Sequence, residues 1–232
     1  MKFKHILKTT FIFFTIPVKS GPLKGKKWIA TSGGKFLSGK YETYKTEAIV
    51  KNFLEGEIFY DIGAHIGYFS AIASTMNKGK GQVIAFEPRP MNIKFFKRHM
   101  KINNFVGVTL YEVAVGEEEK TVLFDTSFGS ATGKVSEEGR LEVKQVSIDK
   151  MFERGEIPLP TFIKIDVEGA EMEVLKGMKN VISLARPKII IATHNDECHK
   201  YVIDFINDLR YTIKILNPER VKGDTEIIAL PS

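Results

Sequence analysis

The chain has one cysteine and one tryptophan in 232 residues. Cys198 can form no internal disulfide, and nothing points to an oxidising compartment or a structural zinc site. No sequence period recurs and no low-complexity tract interrupts the chain, which argues against solenoids and disordered linkers. Long apolar runs are missing too. The stretch Phe11 to Ile16 is too short to span a bilayer, Lys8 interrupts the apolar middle that a signal peptide would need, and no small-x-small cleavage site follows cleanly. These absences leave a cytoplasmic globular protein, and 43% hydrophobic with 11% aromatic residues suffices for a large core.

Arginine is absent from the first 54 residues, which hold eleven lysines against two glutamates (Glu42 and Glu47). The whole-chain charge is only +6, so the remainder is slightly acidic. A basic N-terminal segment can attract phosphates, nucleic acid or an anionic membrane surface, or form a solvated face. Residues 1–38 are expected to be an extension that packs on the domain or helps cover a substrate. Residues 39–232 form the main domain, with a β excursion inserted at about 120–150.

The chain is organised around Phe59-Tyr60-Asp61-Ile62-Gly63-Ala64-His65-Ile66-Gly67. An apolar run reaches Asp61, passes two glycines, and enters a segment with Tyr68, Phe69, Ile72 and Met76 at helical spacing: a strand, a tight turn and a helix. Glycines let a ligand approach the backbone, and the helix start offers free N–H groups. A dinucleotide turn requires G-x-G-x-x-G, yet here the order is D-x-G-x-x-x-G, with His65 where a close glycine would sit. S-adenosylmethionine carries no phosphate, and its cationic sulfonium and α-amino group suit the Asp61 carboxylate.

Further acids stand at strand ends. Val83 to Phe86 is an apolar strand ending at Glu87-Pro88, where an α/β nucleotide site grips ribose hydroxyls, which makes Glu87 the ribose ligand. Val108 to Val115 predicts a third strand whose end, at Ala114, flanks the base. Phe162 to Asp166 is a further strand followed by Val167-Glu168-Gly169-Ala170-Glu171 and an amphipathic helix. Lys188 to Ala192 delivers His194 to the same rim. Two alternating segments, Thr121 to Phe124 and Leu141 to Ile148, bracket a Gly/Ser-rich stretch containing Ser130, a weaker ligand candidate. The closing strands, Tyr211 to Leu216 and Thr225 to Leu230, leave no room for a crossover helix and must be antiparallel.

Gly39-Lys40-Tyr41-Glu42, Asp61 to Gly67, Phe86-Glu87-Pro88, Ile163 to Glu171 and Arg186-Pro187-Lys188 together resemble the FkbM family of methyltransferases, over about Gly39 to His194. The resemblance implies a class I methyltransferase fold: α/β, Rossmann-like, with a mostly parallel seven-stranded sheet, a terminal antiparallel hairpin and helices on both faces. It implies O-methylation of a hydroxyl, with macrolide and sugar hydroxyls among the family's acceptors. Asp61, Gly63, Ala64, His65, Gly67, Glu87, Ala114 and Asp166 then form the S-adenosylmethionine site. His65 stands where the family often has Asn, and Ala192-Thr193 where an acid often precedes the histidine.

The sulfonium is already an activated donor, so alignment and water exclusion are most of the task. A positioned base adds about 10²–10⁴-fold for an aliphatic hydroxyl. Asp166 or His194 is expected to take the proton, with Glu168 orienting the acceptor. No metal-ligand spacing is recognisable. The acceptor is expected to be a saccharide or a related small hydroxylated metabolite. A nucleic-acid acceptor, stacked on Phe11, Phe13, Phe14, Trp28, Tyr41 or Tyr44, and a non-catalytic nucleoside-binding role are the alternatives.

Overall fold

The computed structural model describes residues 14–125, 134–135, 139, 141–217 and 225–232. Phe11, Phe13, Ser130 and the first lysines lie outside the described residues. The chain opens with an antiparallel ribbon, β1 (Thr15–Pro17) and β2 (Lys27–Ile29), followed by α1 (Gly34–Ser38) and α2 (Thr43–Asn52). Then come β3 (Ile58–Ile62), α3 (Tyr68–Asn77), β4 (Gln82–Phe86), α4 (Pro90–Ile102) and β5 (Val108–Tyr111). Next are β6 (Ala114–Val115), β7 (Lys120–Asp125), β8 (Lys134–Val135), β9 (Leu141–Val146) and α5 (Ile148–Glu153). The last part holds β10 (Phe162–Ile165), α6 (Glu171–Lys176), α7 (Lys179–Ala185), β11 (Lys188–Thr193), α8 (Asp196–Asp208), β12 (Tyr211–Ile215) and β13 (Thr225–Pro231).

Seven strands form the central sheet in the order β12-β13-β11-β10-β3-β4-β5. β11, β10, β3, β4 and β5 are parallel, and β13 runs antiparallel to both β11 and β12. The expected closing hairpin is present, and its second arm slots between the first arm and β11.

Strand alternation sorts the core into two layers. Tyr60, Ile163, Ile189 and Ile191 face a cluster with Met151, Val174, Leu175, Val181, Val202 and Ile206, contributed by α5 to α8. Phe59, Phe162, Ile190 and Ile228 face the opposite way, against Phe36, Ile49, Phe69, Ile72 and Phe95 from α1 to α4. Helices therefore cover both faces, and the turns after the strands gather at one edge.

The third strand departs from expectation. It leaves the central sheet at Tyr111, and Ala114–Val115 joins a separate four-stranded sheet of order β6-β9-β7-β8. The cause lies in its neighbour. Glu87 N–H donates to Tyr111 O at 3.1 Å, but the next N–H on that side, that of Arg89, donates to Glu87 Oε1 at 2.9 Å and does not extend the ladder.

Candidate active site

Four strand ends, those of β3, β4, β10 and β11, build one rim. After β3 the backbone turns sharply at Gly63, with φ of 77°, and at His65, with φ of 51°. Both lie in the left-handed region that side chains resist, which fits the resemblance's preference for Asn at position 65. Gly63 packs so close to β10 that an added Cβ would fall 1.9 Å from Asp166 O. The turn is pinned to β4, because Gly63 N–H and Ala64 N–H both donate to Phe86 O at 3.0 Å.

A cavity of about 370 Å³ opens beyond this edge, within the usual range of small-ligand sites. Gly63, Ala64, His65, Glu87, Ala114, Asp166, Glu168 and His194 all line it. Eight of the sequence-derived site residues are thus brought together.

Two are not. Asp61 is fully buried beneath the turn, accepts from Ser70 Oγ at 2.6 Å, and lies 3.2 Å from Lys164 Nζ. It holds Lys164, which in turn donates to Gly63 O at 2.6 Å, so the expected sulfonium partner instead shapes the turn from below. Gly67 likewise stays out of the lining; it caps α3 with φ of 86°, and an added Cβ would meet the Phe96 ring at 2.7 Å.

Glu87 is fixed from three sides. Its Oε2 accepts from His65 N–H at 2.8 Å, while Oε1 accepts from Arg89 N–H at 2.9 Å and Asn92 Nδ2 at 3.1 Å. Burial pushes its carboxyl above the ordinary value, against those donors. The carboxylate is therefore pre-oriented toward the cavity at the tip of β4.

The opposite end of the cavity is dense with charge. Lys45 on α2, 1% exposed, sits 2.6 Å from Asp166 Oδ2, 2.6 Å from Glu42 Oε2 and 3.5 Å from Glu226 Oε1. Burial opposes its charge, but the three carboxylates hold its ammonium above the ordinary lysine range. Conversely, although burial works against the Asp166 anion, Lys45 and Lys164 keep it well below the usual carboxylate range. His194 Nδ1 lies 2.7 Å from Glu171 Oε1, and its Nε2 lies 3.6 Å from Asp166 and 3.7 Å from Glu168. Burial disfavours the imidazolium, but Glu171, Asp166 and Glu168 raise His194 to about 9.

Lys45 and Glu226 were not found by sequence reasoning, and Glu42 and Glu171 stood in the motifs of the resemblance without a role. Lys45 sits on α2 on the same buried side as Ala48 and Ile49, an apolar stripe that hides a buried charge. The acid expected just before His194 is missing, yet its place is filled across space by Glu171. Asp166, Glu168 and His194 also bring potential ligand atoms within 4.8 Å of one another, a grouping that linear spacing did not reveal. Lys45 already holds Asp166, so the arrangement described here is an ion-pair network. Of the proposed stacking aromatics, Trp28 is fully buried and Tyr41 packs in the core, while Phe14 and Tyr44 are exposed.

The profile of the "Methyltransferase FkbM domain" matches residues 61–213. The chain is 32% identical over 170 residues to the Hexuronic acid methyltransferase AglP of Haloferax volcanii, covering 72% of this chain and 68% of that one. The crystal structure of Methyltransferase FkbM from Methylobacillus flagellatus KT superposes with a TM-score of 0.59 at 25% identity. That match takes in 77% of this chain and 44% of the other, so the chain spans less than half of that solved relative. The Precorrin-6y C5,15-methyltransferase of Geobacter metallireducens GS-15 shares the fold, with a TM-score of 0.54 at 15% identity over 86% of this chain and 94% of that one.

Proposed function

The chain belongs to the FkbM family of S-adenosylmethionine-dependent methyltransferases, and from that premise we propose that it methylates a hydroxyl oxygen of a saccharide or a related small hydroxylated molecule. The residues fit the cofactor: a glycine turn without side-chain bulk, a carboxylate anchored for a diol at Glu87, and small Ala114 beside the space for a base. When bound, S-adenosylmethionine supplies an activated methyl group. Gly63, Ala64, His65, Glu87 and Ala114 hold it in this proposal; Asp61 and Gly67 support the turn.

The observation that carries the reading is the cluster of Asp166, Glu168 and His194 opening on the cavity. Groups whose surroundings push their proton affinities apart divide into fixed charge and base. Asp166 stays an anion under Lys45 and accepts the acceptor's hydrogen bond. Glu168 orients a neighbouring hydroxyl, and His194 Nε2 takes the proton.

A hexuronic acid, the acceptor class in the name of the Haloferax relative, offers both hydroxyl and carboxylate oxygens. A hydroxyl is favoured here, since Lys45, Lys164 and His194 are each already held by carboxylates. In the same reading residues 39–232 are the methyltransferase domain and the preceding segment is an extension that closes the cavity through Phe36. We place the activity in the cytoplasm; among the described residues no helix is long and apolar enough to cross a membrane.

The test is kinetic. His194→Gln is expected to lower kcat by about 10²–10⁴-fold, and Asp166→Asn to lower it as well, with calorimetric cofactor affinity retained. Wild-type turnover in both variants would discard base catalysis by this cluster.

A further inference from the structure

Glu171 lies one layer behind the cavity and takes no part in its lining, yet it has no exposed surface and every bond it makes bears on the acceptor end. Its Oε1 accepts from Gly169 N–H at 3.0 Å and faces His194 Nδ1 at 2.7 Å. Its Oε2 accepts from the Cys198 thiol at 2.9 Å. Gly169 N–H and the thiol thus fix the carboxylate before the imidazole meets it. Since a carboxylate accepts, the hydrogen sits on His194 Nδ1, and Nε2 is the nitrogen turned to Asp166 and Glu168.

We propose that Glu171 is the positioning residue of this reaction: a buried carboxylate that fixes the His194 ring through Nδ1, presents Nε2 to the acceptor hydroxyl, and makes the imidazole, not Asp166, the proton acceptor. This rests on the methyltransferase reading above. In the step itself the hydroxyl's O–H bond would break, its proton passing to Nε2 of the neutral ring, and the oxygen would use that electron pair to take the methyl group as the methyl's bond to the donor sulfur breaks, the pair of that bond staying on sulfur.

Two poles divide the roles. On one side Lys45, shared among Asp166, Glu42 and Glu226, keeps Asp166 ionised and a poor base. On the other, Glu171 stabilises the imidazolium that forms, an effect supported by the rise of His194 to about 9. The charged groups facing His194 are Glu171, Asp166 and Glu168 directly, and Lys45 and Lys164 through Asp166. The Cys198 thiol, pushed up to about 12 mainly by burial and then by Glu171, stays protonated and serves as a donor.

The experiment is a pH titration of ¹⁵N-histidine-labelled full chain without cofactor, with the His194 signals assigned by their loss in His194→Gln. The wild-type ring is expected to titrate near pH 9. Glu171→Gln, which keeps an oxygen acceptor but loses the charge, is expected to lower that midpoint by about one unit or more, and the ascending limb of kcat, which reports the neutral ring, to move down in pH with it. Glu171→Asp should retain most of the elevation. A wild-type midpoint near the ordinary histidine value, or one unmoved in folded Glu171→Gln, overturns the proposal. Full turnover in His194→Gln likewise overturns it, whereas failure of the methyltransferase reading is separable, since it would appear as no methyl transfer by the wild-type chain whatever the ring titration shows.

Discussion

Gly63 is where one atom decides the most. Its backbone is left-handed, and a methyl group there would collide with the Asp166 carbonyl. Gly63→Ala is therefore expected to cost about 1–3 kcal/mol from conformation alone, with a further loss as the ends of β3 and β10 are forced apart. Thermal denaturation and cofactor calorimetry on the same sample measure both; an unchanged Tm with unchanged affinity would contradict this. The glycine was legible from its place between a strand and a helix, and so were Glu87 and Asp166, because an acid after an apolar strand has one address in an open α/β sheet. Asp61 was legible in position but not in role. Strand alternation is enough to bury it, whereas its partners, Ser70 and Lys164, belong to different elements that sequence order does not juxtapose.

At the scale of elements, the N-terminal ribbon is attached to α4 through Asn103, which exchanges two hydrogen bonds with the Lys27 backbone at 2.8 Å, and through His99. Trp28 on β2 stacks on His99 with ring centroids 3.7 Å apart, and Ile29 N–H donates to His99 Nε2 at 3.1 Å. Nε2 must then be an acceptor, so Nδ1 carries the hydrogen and donates to Ile66 O at 2.9 Å, tying the ribbon to the glycine turn. Burial, the largest influence, lowers His99 from 6.5 to about 3. The folded state thus binds the proton less readily than the unfolded chain, and its stability is full above about pH 6.5 and falls as the pH drops toward 3. At pH 5 the loss from His99 is expected to be about 2 kcal/mol, and His99→Phe, which cannot take a proton, should flatten that slope. Denaturant unfolding between pH 5 and 8 checks it, and equal slopes in both proteins would refute the assignment. Nothing in the sequence marked His99, since its partners are main-chain atoms of distant segments. Lys45 was hidden for a related reason: helical periodicity reports apolar faces, and a buried cation among three carboxylates looks like a solvated lysine until the strands are assembled.

Over the whole molecule, the sheet order puts β3 beside both β4 and β10, so that chain segments running in opposite directions across the sheet part at one point. Ligands bind at such a switch point. Here the split sets Glu87 on one side and the Asp166, His194 and Glu171 group on the other, a nucleoside end and an acceptor end. The parallel core and its closing hairpin could be read from apolar runs and loop lengths. Of the small second sheet, the alternating arms β7 and β9 could be read, but not β6, which continues an apolar run and is released only where Arg89 N–H turns to the Glu87 side chain. Phe124 from that sheet, together with Phe36 and Tyr41 from the N-terminal part, completes the wall of the cavity. The central claim is methyl transfer to a saccharide hydroxyl, and it is tested by incubating the full chain with S-adenosylmethionine labelled in its methyl group and a panel of neutral sugars, uronic acids and host glycans, followed by mass spectrometry. The account predicts a labelled methyl ether on a sugar hydroxyl, formed more slowly by His194→Gln; label appearing only in nucleic acid, or only as a methyl ester on a uronic acid, would contradict it.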